Sequence, residues 1–369
     1  MSIQNEAFYF AQIRGTLRCY GKQCMSELKL EIKVAFIPGL REIVLKEISQ
    51  YPNLRVIKEE GGLIYLAFVH DFAQLLQLRS VLKMHVIEQS SKYNPFYISN
   101  HKSIIGNLVS LVIENRKDEF QSFKIICAGA GSSEVRSIVE YIKETYGLIE
   151  DEDADLKIHI INTGNTWEVG AQVTARPLSL RGYRVGHMSG ALNPTIAYAM
   201  NSLCNLGSAS SYLNVFSGSA TLLIEAGQCY PNLKKPVGLD NNKRHLSLAI
   251  QNIKKAGLIR RIQLKERDIF DKPDLGKFDV ITSDLPFGMS IAKGEDLGSL
   301  YQRFIKYCQE TLNSGGRLAI YTSEYEMLER VILESEFEVI KTLELKLVTA
   351  VGSYLRPKIF ICRHEPTSL

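Results

Sequence analysis

The sequence has 369 residues, with 44 Lys and Arg against 40 Asp and Glu, and 45% of its residues are hydrophobic. This composition is typical of a globular protein and excludes a disordered or collagen-like chain. No apolar run reaches the ~20 residues of a membrane-spanning helix, and residues 1–6 have neither a basic start nor an apolar core. We therefore expect a cytoplasmic or nuclear protein without a membrane partner.

The seven cysteines are scattered along the chain and include no CxxC pair. Cys19 and Cys24 have no second pair of ligands downstream, so no metal site is predicted. Free thiols in a reducing compartment are the simpler interpretation. The net charge of +4 permits a nucleic-acid partner but does not by itself indicate one.

Residues 1–27 form a polar and aromatic leader. Beyond it, the pattern over residues 28–100 predicts a small α+β unit with its helices on one face of a sheet. Strands are expected at 30–36 and 63–68, with an amphipathic helix between them. Asp71 is expected to cap a second helix.

The next unit, over residues 101–175, also mixes strands and helices. Its expected elements are strands at 123–128, 156–161 and 167–173 and a helix between Ser132 and Gly147. The acidic stretch at 150–153 predicts a solvated turn.

From about residue 208, strands and helices alternate regularly, which predicts a doubly wound α/β sheet. Its strands are expected at 212–216, 235–239, 262–264, 278–283, 317–321, 339–345 and 358–362. The loop around Gly352 is too short for a helical crossover, so the last two strands should pair antiparallel.

The first turn of this sheet is built from small residues. An apolar strand runs into Ser217-Gly218-Ser219-Ala220, and a helix begins at once. Small residues let a ligand approach the backbone, and a helix N-terminus favours negatively charged groups. The next strand ends in Asp240, 22 residues after Gly218, a spacing at which an acid can bind a ribose diol. An adenosine-type cofactor is predicted, with a packing turn and a helix-capping Asp as the alternatives.

The fourth strand ends in Asp284-Leu285-Pro286-Phe287. An acid and a backbone carbonyl can together accept both protons of an exocyclic amine, and an aromatic ring can stack on the base for roughly 1–3 kcal/mol. A nicotinamide dehydrogenase is disfavoured because the first turn lacks G-x-G-x-x-G.

This last motif is similar to the (Asn/Asp/Ser)-x-Pro-(Tyr/Phe) signature of S-adenosylmethionine-dependent amino methyltransferases, and residues 216–226 are similar to their cofactor loop. More narrowly, the chain resembles the THUMP-containing RNA guanine-N2-methyltransferases. The segments that carry this narrower resemblance are 181–184, 190–195 and 283–288.

The resemblance implies a Rossmann-like class I methyltransferase domain over residues 208–369, with S-adenosylmethionine as cofactor and tRNA as the favoured substrate. It implies a ferredoxin-like domain over residues 28–100 and a THUMP RNA-binding domain over residues 101–175. Residues 176–207 would be a linker and a helix that covers the cofactor. Some members of the family need a small zinc-binding activator protein, which is a further expected partner.

The resemblance also implies roles for individual residues. The expected cofactor-binding residues are Asn193, Pro194, Thr195, Asn214, Phe216, Ser217, Gly218, Ser219, Ala220, Asp240, Asn241, Asp268, Ile269 and Asp284. Asp284, Pro286 and Phe287 would hold the target guanine and are the expected catalytic residues.

Two groups of basic residues are expected to contact RNA phosphates. The first group precedes the catalytic domain and consists of Arg176, Arg181 and Arg184. The second should lie beside the cofactor edge and consists of Lys254, Lys255, Arg260 and Arg261.

The chain departs from the family at two positions of the cofactor loop. Asn214 stands where Asp is usual and removes a negative charge, and Ala220 stands where Gly is usual and disfavours a positive φ. Both changes bear on cofactor binding, but neither touches the catalytic acid, so an active enzyme is still favoured. Two alternatives stay open: the same chemistry on guanine of ribosomal or small nuclear RNA or on adenine N6, and an RNA-binding protein of this fold with lost cofactor affinity.

Overall fold

The structure is a computed structural model. It describes residues 30–69, 71–90, 94, 98–116, 120–164, 166–234, 236–286, 296–348 and 352–365. The predicted leader, Cys19, Cys24 and Phe287 lie outside these ranges.

Eight strands between residues 30 and 172 form one mixed sheet. They are β1 (Leu30–Phe36), β2 (Val56–Glu60), β3 (Leu63–Ala67), β4 (Val81–Ser90), β5 (Ser122–Cys127), β6 (Ile149–Glu150), β7 (Leu156–Asn162) and β8 (Trp167–Gln172). Their order is β2-β3-β1-β4-β8-β7-β5-β6, and neighbours run antiparallel except β5 with β6 and with β7. The five expected strands are confirmed, whereas β2, β4 and β6 have no counterpart among them.

Helices α1 (Arg41–Ile48), α2 (Ile98–Asn115) and α3 (Ser133–Tyr146) pack into one core with the inward side chains of this sheet. The bounds of α3 follow from its sequence, since the Ser132 hydroxyl caps its first turn and Gly147 ends it at φ +68°. Because β4 pairs with β8, sheet and core continue across residue 100. A domain boundary at that point stays a prediction.

The prediction of a helix after Asp71 is wrong. Only a 3-10 turn forms, at Leu75–Gln77, and the chain is extended again at Leu78. The next two backbone N–H groups, those of Arg79 and Ser80, donate to the Glu47 carboxylate at 2.7 and 2.8 Å. This contact with α1 overrides the local helical preference.

The second sheet has seven strands. They are β9 (Tyr212–Val215), β10 (Val237–Asp240), β11 (Gln263–Glu266), β12 (Phe278–Asp284), β13 (Leu312–Thr322), β14 (Phe337–Glu344) and β17 (Lys358–His364). Their order is β11-β10-β9-β12-β13-β17-β14. β17 runs antiparallel to both of its neighbours, which confirms the antiparallel last strand. β15 (Leu347–Val348) and β16 (Tyr354–Leu355) form a separate pair.

Helices cover both faces of this sheet, as a doubly wound fold requires. α4 (Pro194–Leu203), α5 (Thr221–Cys229) and α6 (Lys243–Lys255) share a core with Tyr212 and Val280. α7 (Leu297–Thr311) and α8 (Tyr325–Leu333) share another with Leu213 and Ile281. After β9 the chain builds outward through β10 and β11, and β12 then returns to the other side of β9. The carboxyl ends of β9 and β12 therefore form a topological switch point, where ligands bind in open α/β sheets.

A buried acid joins the N-terminal part of the chain to the second sheet. Glu225 on α5 has no exposed surface and accepts hydrogen bonds from Arg79 (2.8 Å), Arg181 (3.1 Å) and the Tyr183 hydroxyl (2.8 Å). Arg79 precedes β4, so this cluster ties the first sheet to α5. Removing one partner of such a buried ion pair typically costs about 3–5 kcal/mol.

Candidate functional site

The loop after β9 has an unusual backbone. Phe216, Gly218 and Ala220 have φ values of 55°, 49° and 67°. The Ser217 N–H donates to Leu239 O on β10 at 2.9 Å, and the Ala220 N–H donates to Ser217 O at 2.8 Å. The chain thereby folds back over the strand end before α5 begins. Ala220 thus adopts the positive φ that its methyl group disfavours, which stores strain in the loop.

Asp240 fixes this loop to the end of β10. Its Oδ2 accepts the Gly218 N–H at 2.8 Å, and its Oδ1 accepts the Asn242 N–H at 2.9 Å. The side chain of His245 lies 3.4 Å from the same Oδ1. The carboxylate therefore organises the loop from within the protein, and its predicted contact with a ribose stays a prediction.

The next two turns of the sheet are joined to each other. The Asn241 amide donates to Asp268 Oδ2 at 2.8 Å, and the Phe270 N–H donates to Asp268 Oδ1 at 2.9 Å. Ile269, between these residues, is buried. The structure thus brings the predicted residues of the second and third turns together at the same edge as Gly218.

The predicted catalytic turn follows β12. Asp284 is half-buried, and its Oδ1 has no hydrogen-bond partner among the described residues. Burial raises the pKa of Asp284 to about 8. The Leu285 N–H donates to Tyr321 O at 3.0 Å, and the Leu285 side chain is buried. Asp284 therefore ends a rigidly held strand with one carboxylate oxygen still available.

Four unpartnered polar atoms belong to predicted site residues. Eight buried side-chain N or O atoms lack a partner in the described part of the chain, and half of them are Thr195 Oγ1, Asn214 Oδ1, Ser217 Oγ and Asp284 Oδ1. Buried polar atoms are nearly always hydrogen-bonded, so this concentration indicates groups that await a ligand.

Asn214 is oriented by its neighbours. Its Nδ2 donates to Thr282 O at 3.1 Å and to Val215 O at 3.3 Å, which leaves Oδ1 as the unpartnered end. An ionised Asp at this position would place oxygen against both carbonyls. The amide therefore fits this backbone and keeps one acceptor, although it lacks the negative charge.

The predicted covering segment caps α4 and passes beside the loop. Asn193 caps α4, since its Oδ1 accepts the Thr195 N–H at 2.8 Å, and Pro194 occupies the first turn. A Cβ atom built on Gly218 would lie 2.9 Å from Met188 Cε, so the linker passes directly beside the loop. Met188 Cε is the end of a flexible side chain and can move, so the reason for glycine at this position is its φ of 49°.

Asn252 on α6 fixes the linker, although the sequence did not single it out. Its Oδ1 accepts the N–H groups of Val185 and Gly186 at 3.0 and 2.7 Å. Its Nδ2 donates to Gly186 O and Ser219 O at 3.1 and 3.2 Å. All four hydrogen bonds of this buried amide are made, and together they join the linker to the cofactor loop.

Two predicted RNA-binding residues make hydrogen bonds within the protein. Arg181 is bound to Glu225 and to the carbonyls of Leu178 and Arg79. Arg261 donates to the carbonyls of Gly227, Tyr230 and Pro231 at the end of α5. Their guanidinium groups thus have partners within the protein, and contact of Arg181 and Arg261 with phosphates stays a prediction.

Three residues of the second basic group, Lys254, Lys255 and Arg260, are exposed. Lys254 and Lys255 are in the last turn of α6, just after Asn252, which contacts Ser219 of the cofactor loop. Arg176 is exposed and Arg184 half-buried. For these five residues, contact with RNA stays a prediction.

Within the described ranges, no helix combines the length and apolarity needed to cross a membrane. The same ranges contain no group of three or more His, Cys, Asp or Glu side chains arranged to hold a metal ion.

Comparison with protein families gives one match to the second sheet. Residues 181–350 match the family UPF0020, described as an RMKL-like methyltransferase domain. This range contains the cofactor loop, Asp240 and the turn at Asp284.

Curated relatives fall into two groups. The chain is 26% identical over 80% of its length to a tRNA (guanine(6)-N2)-methyltransferase of Thermus thermophilus, of which it covers 90%. It is 32% identical over 42% of its length to the U6 snRNA (guanine-N(2))-methyltransferase THUMPD2 of Mus musculus, of which it covers 28%. The chain spans less than half the length of the U6 snRNA relatives that it matches.

Solved structures share the fold over nearly the whole chain. TrmN from Thermus thermophilus superposes with a TM-score of 0.72 at 21% identity, covering 91% of this chain and 99% of TrmN. SMU.472, complexed with SAH, gives a TM-score of 0.64 at 15% identity, covering 92% of this chain and 99% of that one. The predicted class I methyltransferase fold, preceded by an α+β region, is confirmed.

Proposed function

We propose that this protein is an RNA methyltransferase that transfers a methyl group from S-adenosylmethionine to the exocyclic N2 of guanine, most favourably in tRNA. The observation that carries the proposal is the unpartnered Asp284 carboxylate oxygen at the switch point of the sheet. The names of the relatives, which act on guanine N2 of tRNA or of U6 snRNA, support the choice of atom and of substrate class.

The residues at the sheet edge fit the cofactor. When bound, S-adenosylmethionine supplies a methyl group activated by a sulfonium. Asn214 Oδ1 would accept from its ammonium group, and the Ser217 hydroxyl and nearby backbone would hold the methionyl part. Asp240 and Asn241 would contact the ribose, and Asp268 and Ile269 would contact the adenine.

The chemistry requires the protein to orient and activate an amine. The lone pair of guanine N2 is delocalised into the ring, so N2 is a weak nucleophile. Asp284 Oδ1 would accept one N–H of the amine, and the Leu285 carbonyl, which accepts no backbone hydrogen bond from a described residue, would accept the other. As the N2–methyl bond forms and the sulfur–methyl bond breaks, N2 loses a proton to Asp284 or to water. Positioning supplies most of the rate enhancement.

The target guanine must be unpaired or flipped out of its stack, because N2 is otherwise unreachable. Pro286 and Phe287 would bracket the extruded base. Phosphate contacts elsewhere would hold the surrounding RNA.

The N-terminal part of the chain is the proposed RNA-binding region. We assign residues 28–100 to a ferredoxin-like domain and residues 101–175 to a THUMP domain. Between this region, the linker and the ends of α4 and α5 lies a cleft of about 1190 Å³, whose lining includes Lys46, Arg176, Tyr51 and Tyr230. Cations and aromatic rings together suit an RNA strand.

Calorimetric titration with S-adenosylmethionine tests the cofactor. Saturable binding that weakens in Gly218→Ala is the expected result, since Gly218 has a φ of 49°, at which a residue with a Cβ atom is strained. Incubation with RNA and methyl-deuterated cofactor, followed by nucleoside mass spectrometry, should yield labelled N2-methylguanosine. An inactive chain is retested with a small zinc-binding activator protein. No binding at millimolar cofactor would favour the alternative of an RNA-binding protein without catalysis.

A further inference from the structure

A tyrosine on α7 reaches the turn that follows β12. Tyr301 is fully buried, and its hydroxyl lies 3.3 Å from Pro286 O and 2.9 Å from Thr322 Oγ1. Thr322, at the end of β13, is also fully buried, and its Oγ1 accepts the Glu324 N–H at 3.0 Å. α7, the end of β13 and the turn after β12 are distant in sequence, and they meet at the Pro286 carbonyl, two residues after Asp284.

The donors in this cluster can be ordered. Pro286 O can only accept, so the Tyr301 hydroxyl donates its one proton there. The Tyr301 oxygen then accepts the Thr322 proton, and Thr322 Oγ1 accepts from the Glu324 N–H. Each hydroxyl donates once and accepts once, so the chain from Glu324 to Pro286 is complete without a ligand.

This contact acts where the turn has little other freedom. The Leu285 N–H is held by Tyr321 O, and the ring of Pro286 fixes its φ near −65°. The remaining backbone angle of Pro286 sets the direction of its carbonyl, which is the atom that Tyr301 holds. Asp284 Oδ1 and the Leu285 carbonyl lie immediately before this constraint.

We propose that Tyr301, supported by Thr322, is a positioning residue that holds the Asp284-Leu285-Pro286 turn in the geometry needed for attack by the target amine. This inference rests on the proposed function. Tyr301 acts on the turn through Pro286, so its effect falls on the transfer step and not on cofactor affinity.

α7 contains a matched control. The Tyr307 hydroxyl donates to Pro273 O at 3.3 Å, and Tyr307 is also buried. Tyr307→Phe therefore removes the same group, from the same helix, with the same kind of acceptor and the same distance. Its acceptor lies between β11 and β12, outside the catalytic turn.

The experiment measures the single-turnover rate of methyl transfer, the Kd for S-adenosylmethionine and the thermal stability. Tyr301→Phe should slow transfer by about 10- to 100-fold, change Kd less than about twofold, and lose about as much stability as Tyr307→Phe. Tyr307→Phe should transfer at the wild-type rate. Thr322→Val should slow transfer, whereas Thr322→Ser, which keeps the hydroxyl, should restore it.

Equal transfer rates in Tyr301→Phe and Tyr307→Phe would overturn the inference, as would a rate loss explained entirely by weaker cofactor binding. If Tyr301→Phe does not fold, Thr322→Val decides: an unchanged transfer rate in it overturns the inference. Absence of methyl transfer in the wild-type protein would instead contradict the proposed function, which distinguishes the two failures.

Discussion

Replacing Asp284 by Asn should stabilise the protein while it abolishes methyl transfer. Asn has the same shape but cannot ionise. In the wild-type protein, burial raises the pKa of Asp284 from 3.8 to about 8. Between these values the unfolded chain is ionised at this position and the folded chain is protonated. The folded state therefore binds more protons, and its stability falls as the pH rises through this window.

The size of the effect follows from the same interval. A shift from 3.8 to about 8 corresponds to an upper limit of roughly 6 kcal/mol at about 1.4 kcal/mol per pH unit. Because solvent reaches part of the Asp284 side chain, we expect about half of this limit. The advantage of Asp284→Asn should be small near pH 4 and should reach about 2–3 kcal/mol near pH 8.

Urea denaturation of both proteins at about pH 5 and about pH 8 measures this difference. Other titrating groups cancel because the two proteins share them. Asp279→Asn is a matched control on the same strand. Although burial opposes it, hydrogen bonds from Ser210, Asn313 and Ser211 hold the pKa of Asp279 below its ordinary value. Asp279 is thus ionised in both states throughout this range.

Asp279→Asn should therefore destabilise the protein by the same amount at both pH values, because it weakens these hydrogen bonds. A stability gain of Asp284→Asn that is equal at both pH values, or absent at both, would show that Asp284 is not held protonated by burial.

Three further predictions concern the site and its support. The rate of methyl transfer at low RNA concentration should rise with pH through an apparent pKa near 8, because only the ionised Asp284 accepts the amine proton. A rate that does not change with pH would show that Asp284 does not accept this proton. Ala220→Gly should raise the free energy of unfolding by about 0.5–1 kcal/mol, because it removes the strain of a positive φ at this position, and a loss of stability in urea denaturation would contradict this. Glu225→Gln should cost about 3 kcal/mol because it leaves Arg79 and Arg181 without their buried partner. Glu344→Gln, at an exposed ion pair with Arg356, should cost less than about 1 kcal/mol, and equal losses would refute the structural role of Glu225.

The sequence predicted the elements of the second sheet well because their signals are local. Alternation of apolar residues marks β9 and β12, and the small residues at 217–220 mark a turn that must pass close to a ligand. The acids at 240 and 284 follow strand ends, and parallel strands bring such positions to one edge. For these positions, the place of a residue relative to its own strand is enough to predict its place in the sheet.

Side-chain partners at long range could not be predicted in this way. Arg181 and Glu225 are 44 residues apart, and nothing in the sequence around Arg181 distinguishes a buried arginine from one that contacts phosphate. Tyr301 and Asn252 are ordinary residues of amphipathic helices, and only the packed structure reveals the backbone groups that they hold. The helix predicted after Asp71 is absent for the same reason, because the Glu47 carboxylate on α1 binds the backbone N–H groups of Arg79 and Ser80.

The central claim is that Asp284 presents guanine N2 to a methyl donor bound at the β9 loop. The most direct test is nucleoside mass spectrometry of RNA incubated with methyl-deuterated S-adenosylmethionine and either the wild-type protein or Asp284→Ala. Labelled N2-methylguanosine formed by the wild-type protein and lost in the variant, with cofactor binding retained, is the predicted result. Methylation at a different atom, or undiminished N2-methylguanosine with Asp284→Ala, would contradict the claim.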